Sequence, residues 1–443
     1  MTATDSAAAP DGKLLRVIGV WGLAAGIVNI TIGGGIFRLP ASPDVAGRLG
    51  AAAPLAYIVC AIVMGLIVLC IAEAGSRISL TGGPYAYVEE TFGNYVGFLV
   101  GVLLWVVFCT SMPAVAGLLA DTAARIVPAI GTTAGRMLFL AALFGIVGVI
   151  NILGVTQGTR LNTLTAAAKL APLLLLLGAG LFAIRGENLR WTDGFPSVSA
   201  LSRASVFLIF AFAGIESALV PSGEVRDPGR TVPRAVLLAM GVITVVYIGL
   251  QIVAQGVLGP NLVGDSAPLA TTAGIVFGPW GATLLSVGFI ISAFGFLSGM
   301  TLSAPRALFA FARDGYLPRR IADVHPRYRT PWIAIIVQLA LAWVLAITSG
   351  FDRLAIMANV AVALIYLGCA AAAFKLRSIP VAEGAASFRV PGGAAVPILA
   401  AVAILFLFTS VTLAEWGVLG AVIAVSSVLY FVQMRRRAGP DVE

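Results

Sequence analysis

Lipid gives the backbone nothing to hydrogen-bond to, so a chain that crosses it must satisfy its own N–H and C=O groups inside each crossing segment. About twelve apolar runs approach the roughly 20 residues that a helix needs to span the hydrocarbon core. They fall near 17–45, 54–76, 94–119, 136–153, 159–184, 202–221, 232–258, 280–312, 331–348, 353–377, 396–413 and 416–434. Composition agrees, because 59% of the 443 residues are hydrophobic and only 11% are charged, against about 45–50% apolar in a soluble domain. The fold class is an all-α integral membrane protein. Residues 1–16 read as a polar tail and 435–443, opening with Arg435-Arg436-Arg437, as another. The first apolar run exceeds a signal-peptide core of about 7–15 residues and no A-x-A-like cleavage site follows it, so it is read as retained.

Cytoplasmic loops carry the excess of Lys and Arg. With the N-terminus inside, roughly 19 of the 28 basic residues lie on the cytoplasmic side, roughly 8 outside and one within the membrane. Both termini are therefore expected in the cytoplasm, and the compact tails point to a bacterial inner (plasma) membrane. The net charge of +8 mostly records this asymmetry, above all the loop "RDGYLPRRIADVHPRYRTP" from Arg313 to Pro331. Its charges cap membrane helices, which sets nucleic-acid binding aside. Cys60, Cys70, Cys109 and Cys369 sit inside apolar runs without metal-ligand spacing and read as small buried hydrophobes. His325 has no second His or Cys to complete a triad or a zinc site, and no Walker-type phosphate loop or H-E-x-x-H is present. ATP-driven pumping by this chain alone, zinc proteolysis and membrane enzymes in general lack their machinery. A channel needs a continuous polar pore or filter, and only isolated polar groups occur.

Those groups cluster where helices are interrupted. "ITIGGGIFRLPA", Ile30 to Ala41, places Gly33, Gly34 and Gly35 in succession within the first run, although glycine costs a helix interior roughly 1 kcal/mol relative to alanine. Close-packed membrane helices space small residues by four; a contiguous run instead loosens the backbone, which lipid tolerates only where the freed groups are buried or face a ligand. The first helix is thus expected to be discontinuous. A second interruption lies in "FLIFAFAGIESALVPSGEVRDPGRTVPRA", where Ala213-Gly214 precedes Glu216 in the sixth run. Gly34 and Gly214 are 180 positions apart, and their helices cross in opposite directions. This is the pattern of five-plus-five inverted repeats, with broken helices meeting at a midplane site. The organisation expected is 17–190 for the first repeat, 200–377 for the inverted second, and 394–434 for two additional helices.

At these residues the chain resembles the amino acid-polyamine-organocation transporter superfamily over nearly its whole length. The resemblance is carried by "GGGIFRLPA" in the first helix, "TGGPYAYVEETFG" (Thr81 to Gly93) after the second, "FAFAGIESA" with "EVRDPGRTVPRA" around the sixth, and "RALFAFARDGYLPRRIADVHPRYRTP" (Arg306 to Pro331) after the eighth. It implies a secondary carrier of amino acids or related amines working by alternating access. An amino acid offers a carboxylate and an ammonium group; a half-helix start offers free N–H groups to the first, and unwound carbonyls accept from the second. Candidates for the carboxylate are the backbones of Gly34 and Gly35, with Gly33 supplying flexibility. Candidates for the ammonium are the carbonyls of Thr31, Phe210 and Ala213, beside Gly214. Gly34 stands where the family frequently has the serine of a G-S-G pattern, so backbone recognition carries more here. Phe210 and Phe212, on alternate faces of the sixth helix, and Met300 in the eighth complete a compact apolar pocket suited to a small or medium neutral amino acid. Ordinary helix packing accounts for at least one of the two aromatics. A cation stacking on Phe210 keeps a basic amino acid or polyamine exchanger open.

Ionisable groups inside a membrane are costly and usually functional. Lys169 lies about ten residues, or roughly 15 Å, into the fifth helix. Either it neutralises carbonyls of the broken first helix, or it couples transport to protons; the second is favoured, because some bacterial members of the family have a lysine there in place of a sodium ion. Sodium coupling is accordingly not expected, and the proton gradient is the only coupling agent invoked, without a cofactor or metal. Glu216 is either a buried packing carboxyl or a gate that carries protons or senses the substrate amine. Glu73 is expected to make a structural contact in the loop carrying Arg77. The favoured function is proton-coupled uptake of neutral amino acids; amino acid or polyamine exchange is the alternative, and a non-transporting sensor of the same fold the different class. The partners implied are a small amino acid and the bilayer, with protein partners unspecified.

Overall fold

The computed structural model describes residues 18–78, 82–153, 155–191, 194–220, 225–313, 315–378, 388–409 and 411–437. The tail 1–16, Thr81, residues 221–224 and residues 438–443 named above lie outside them. Among the described residues the structure is helical, with one isolated parallel bridge between Ile18 and Val225.

In chain order the helices are α1 (Val20–Thr31), α2 (Gly35–Arg38), α3 (Ala53–Arg77), α4 (Pro84–Phe92), α5 (Asn94–Ile126), α6 (Thr133–Ile152), α7 (Val155–Gly180) and α8 (Val198–Phe212). They continue with α9 (Ile215–Ala218), α10 (Pro228–Leu258), α11 (Pro268–Phe277), α12 (Pro279–Arg313), α13 (Trp332–Thr348), α14 (Phe351–Leu376), α15 (Ala395–Phe408) and α16 (Leu413–Arg437). Nine described helices are long and apolar enough to cross a membrane, or ten when the pair Val20–Thr31 and Gly35–Gly47, bent by 41°, is one span. The ninth and eleventh expected spans appear as the shorter apolar helices α13 and α15, of 17 and 14 residues. At 1.5 Å per residue α15 reaches about 21 Å, less than the roughly 30 Å core. Two helices between spans, α4 and α11, were not expected; each opens on a proline, whose missing N–H costs nothing at a first helical position.

The first interruption takes the form that the glycine run implies. The Ile32 N–H closes on the Val28 carbonyl at 2.9 Å, and the Gly33 N–H turns back on Thr31 at 2.8 Å, so the α-helical ladder ends there. α8 crosses at this point. A Cβ on Gly35 would lie 3.0 Å from the Ala211 Cα, a backbone atom that cannot rotate away. The second interruption follows Phe212, where Ala213 is extended and Gly214 takes φ +134°. A Cβ on Gly214 would meet Thr31 Oγ1 at 2.9 Å and Ile30 Cγ2 at 3.0 Å. The two breaks therefore lie directly against each other in the middle of the bundle.

The loop after α3 docks on the same element. Gly83, at φ +56°, would place a Cβ 3.0 Å from the Leu219 carbonyl carbon, and the Gly82 N–H donates to Val220 at 2.9 Å. Nearby, Glu73 is fully buried and makes structural contacts, with a partner beyond the expected neighbourhood of Arg77. Its main partner is Arg377, at the end of α14, with contacts of 2.9 and 2.5 Å to the two carboxylate oxygens. Arg77 stands further off, at 3.6 Å. The Val390 N–H also donates to Glu73, at 3.3 Å, and the Phe388 N–H donates to Ser76 at 3.0 Å. This ties the segment leading into α15 to the end of α3. In the basic loop, His325 Nδ1 accepts the N–H groups of Arg327 and Tyr328, each at 3.2 Å, so the lone histidine closes a turn.

These contacts predict opposite outcomes for two glycines. Gly214→Ala combines a disfavoured φ with overpacking and should lower stability by at least about 2 kcal/mol. Gly26→Ala, in α1 with nothing within 4 Å of its Cβ position, should be neutral or stabilising by about 0.5–1 kcal/mol. Thermal unfolding of both variants in detergent measures the difference.

Candidate functional site

A cavity lies where the two breaks meet. Its wall includes Thr31, Gly33, Gly34 and Gly35 from the first break, Phe210, Ala213, Gly214 and Glu216 from the second, and Phe296 and Met300 from α12. Of the nine residues proposed from sequence to line a substrate site, only Phe212 is missing. It is fully buried and packs edge-on against Tyr247, with ring centroids 5.1 Å apart, which is the packing role anticipated for one of the aromatics. The sequence reading did not find the far wall, made by Val107, Ser111 and Val115 on α5 and Ala358, Asn359 and Val362 on α14. The cavity measures about 20 Å³, room for a water but far short of an amino acid. Side chains such as Phe296, which lies 2.9 Å from a Cβ position on Gly33, must retreat for a larger guest to enter.

The carbonyls released by the first break are gathered from three directions. The Lys169 ammonium, fully buried on α7, donates to Asn29 at 2.8 Å, to Ile32 at 2.7 Å and to Ser292 at 3.2 Å. Three N–H bonds thus meet three acceptors, and charge on the donor strengthens each. Ser292 on α12 adds its own hydroxyl to the Ile32 carbonyl at 2.8 Å. The Tyr247 hydroxyl lies 3.0 Å from the Thr31 carbonyl and 2.9 Å from that of Ala211, bridging the two broken helices. Thr31 therefore changes its part. Its carbonyl already receives Gly33 and Tyr247, whereas its Oγ1, on the cavity wall, has no hydrogen-bond partner among the described residues. Asn359 Oδ1, from the opposite wall, is likewise unpartnered, while its amide donates to Val206 at 3.2 Å. Helix ends leave their first N–H and last C=O groups without intrahelical partners, which applies to the start of α2 at Gly35 and to the end of α8 around Phe210.

Glu216 organises the second break. Its Oε2 accepts the Gly214 N–H at 2.9 Å and the Tyr366 hydroxyl, from α14, at 2.6 Å. Its Oε1 is 3.4 Å from the Ser217 hydroxyl. Two strong donors share one oxygen, so the second oxygen is the less committed one. Among the described residues Glu216 is the only ionisable side chain on the cavity wall; Lys169 lies behind the first break and is not part of the wall.

Comparisons with known proteins fit this arrangement. Residues 18–434 match the family model described as "Amino acid permease". The chain is 31% identical to the serine/threonine exchanger SteT of Bacillus subtilis, over 97% of this chain and 99% of that protein. It is 29% identical to the methylthioribose transporter of the same organism, over 98% and 97%. With the human Asc-type amino acid transporter 1 it shares 31% identity over 73% of this chain and 64% of that protein.

The Glu216 geometry separates geometry from charge. In Glu216→Gln an amide oxygen at the Oε2 position keeps both donors, so unfolding stability should stay within about 1 kcal/mol of wild type. Glu216→Leu strands the Gly214 N–H and the Tyr366 hydroxyl and should cost about 2–6 kcal/mol. Chemical or thermal unfolding of the two variants checks this, and transport by the glutamine variant then reports on the proton alone.

Proposed function

Because the chain belongs to the amino acid permease family, we propose that it carries small neutral amino acids across the membrane by alternating access, chiefly in exchange. The observation that carries this reading is the cavity between the two breaks, where glycine backbone meets an apolar wall. In it, the N–H groups at Gly34 and Gly35 hold the substrate carboxylate, and the end of α8 at Phe210 and Ala213 receives the ammonium. Val107, Val115, Ala358 and Val362 surround a short side chain. Thr31 Oγ1 and Asn359 Oδ1 are unpartnered polar atoms on this wall among the described residues, and both accept hydrogen bonds, which suits a hydroxyl-bearing substrate such as serine or threonine. The likeness to a serine/threonine exchanger supports this. The likeness to a methylthioribose transporter means that family membership does not choose the substrate, so the choice rests on these wall atoms. Among the described residues of the wall a cationic side chain finds only the Glu216 carboxylate, one oxygen of which is already shared by two donors.

The surroundings of Lys169 support exchange over proton symport. All three of its protons are in use on carbonyls, none of which can receive a proton. In this reading the ammonium is a fixed cation that holds the first break open, the role weighed against proton coupling from sequence. The two breaks belong to inverted repeats 17–190 and 200–377, with 394–434 appended, in an inner membrane with both termini cytoplasmic. The 180-residue spacing of the breaks, their direct contact and the asymmetry of basic residues support that layout.

Uptake of labelled serine, threonine and alanine into sodium-free proteoliposomes tests the reading. Flux should saturate, require amino acid on the opposite side and ignore an imposed proton gradient, and Lys169→Ala should lose flux with or without the gradient. If the gradient alone drives accumulation and Lys169→Ala abolishes only that response, proton symport through Lys169 replaces exchange. Saturable binding without any flux would instead mark a sensor.

A further inference from the structure

α2 ends on Arg38, and Arg38 lines a second cavity of about 50 Å³ on the side of the bundle that the basic-residue count assigns to the outside. Gly34, Leu118, Thr122, Ser286 and Phe289 are also on its wall. Gly34 belongs to both cavities. Between them stand Val115 and Leu118, one turn apart on α5, with side-chain atoms 3.4 and 3.3 Å from a Cβ position on Gly34. The glycine that opens the central cavity is thus also the floor of the outer one, and two aliphatic side chains make a thin partition beside it.

Arg38 is half-buried and has neither an ion pair nor a side-chain hydrogen bond among the described residues. Three acidic groups at the same end of the bundle are otherwise engaged. Asp44 pairs with Arg48 at 2.7 Å, Asp121 pairs with Arg136, and Asp265 accepts the Ala267 N–H at 2.8 Å. An arginine on the wall of a recess with no anion among its described lining residues is suited to a carboxylate that arrives from solution, which a guanidinium can hold with two parallel N–H bonds.

We propose that the outer cavity is an entry subsite, in which Arg38 takes the carboxylate of an incoming amino acid before the Val115–Leu118 partition parts and the glycine backbone receives it. This rests on the reading of the central cavity as the amino acid site. The carboxylate travels from a side-chain cation to backbone N–H groups on the same short helix, with Gly34 common to both stations. The same charge repels cations, so the entry disfavours lysine, arginine and polyamines whatever the inner pocket would accept.

Initial rates of serine and threonine uptake by wild type, Arg38→Lys and Arg38→Gln, over a range of substrate and salt concentrations, test the proposal. Arg38→Gln should raise KM about tenfold with Vmax within about twofold, because a charge-assisted contact made on entry is lost while the inner site is intact. Its KM should also lose dependence on ionic strength, and putrescine should inhibit it more strongly than wild type. Arg38→Lys should recover part of the KM and the salt dependence, which a purely structural arginine would not do. Wild-type transport with an unchanged KM in Arg38→Gln would overturn the proposal and leave Arg38 an anchor at the headgroup level. Absence of amino acid flux in wild type would overturn the reading of the central cavity, and the entry subsite with it.

Discussion

Breaking a helix in lipid strands carbonyl oxygens, and the middle of this bundle is arranged around the Lys169 ammonium, which collects two of them, at Asn29 and Ile32, together with the Ser292 carbonyl of α12. An unpaired carbonyl in a medium without water costs several kcal/mol, so the gap at Gly33–Gly35 exists only because something polar reaches it from another helix. Lys169 comes from α7, Ser292 from α12 and Tyr247 from α10. Each anchors its own helix to the interruption as firmly as it anchors the interruption to the helix. What is left uncollected faces the cavity: helix-start N–H groups at Gly35, the Thr31 hydroxyl and the Asn359 carbonyl oxygen. The proposed binding surface is the remainder after the structural demands of the break have been met.

The second break is solved differently. Glu216 folds back on the N–H of Gly214 two residues earlier and is held from the other side by Tyr366. An anion or acid thus serves one interruption and a cation the other, and the two are separated by the wall of the cavity. Tyr247 spans both, with its hydroxyl near Thr31 and Ala211 and its ring against Phe212. Because the Gly214 Cα sits on Thr31, displacement of either half-helix is felt at once by the other. Interfaces packed this closely shift between discrete arrangements more readily than they deform.

The interruptions were legible because glycine in succession has no place in a regular lipid-crossing helix, and Lys169 and Glu216 because charge within an apolar run stands out. Tyr247, Ser292, Ser111 and Asn359 carry no such signal. They are ordinary residues in helices whose rotation about their own axes is fixed only by packing, and nothing local says that their polar atoms face the centre. Phe210 and Phe212 illustrate the same limit: two residues apart in a helix they diverge in direction, but which one faces the cavity depends on where α10 and α14 stand. Sequence alone offers the Thr31 carbonyl to a ligand, because the donor that takes it lies 216 positions away. The partnership of Glu73 with Arg377 spans 304 positions and was hidden for the same reason, while the neighbouring Arg77 was visible and is the weaker contact.

That buried cluster gives the segment leading into the last two helices more than a connecting role. Glu73 receives Arg377 from the final turn region of α14 and the Val390 N–H from the strand of chain that enters α15, while Ser76 is joined to Phe388. Shortening the protein after residue 377 to obtain a minimal ten-helix core would take away two backbone donors that cover the end of α3, and would open a sealed carboxylate to water. Size reduction at this terminus is therefore not a neutral trimming. A compact engineered version would have to retain the chain through Val390, or refill its place with a peptide segment that restores both N–H groups.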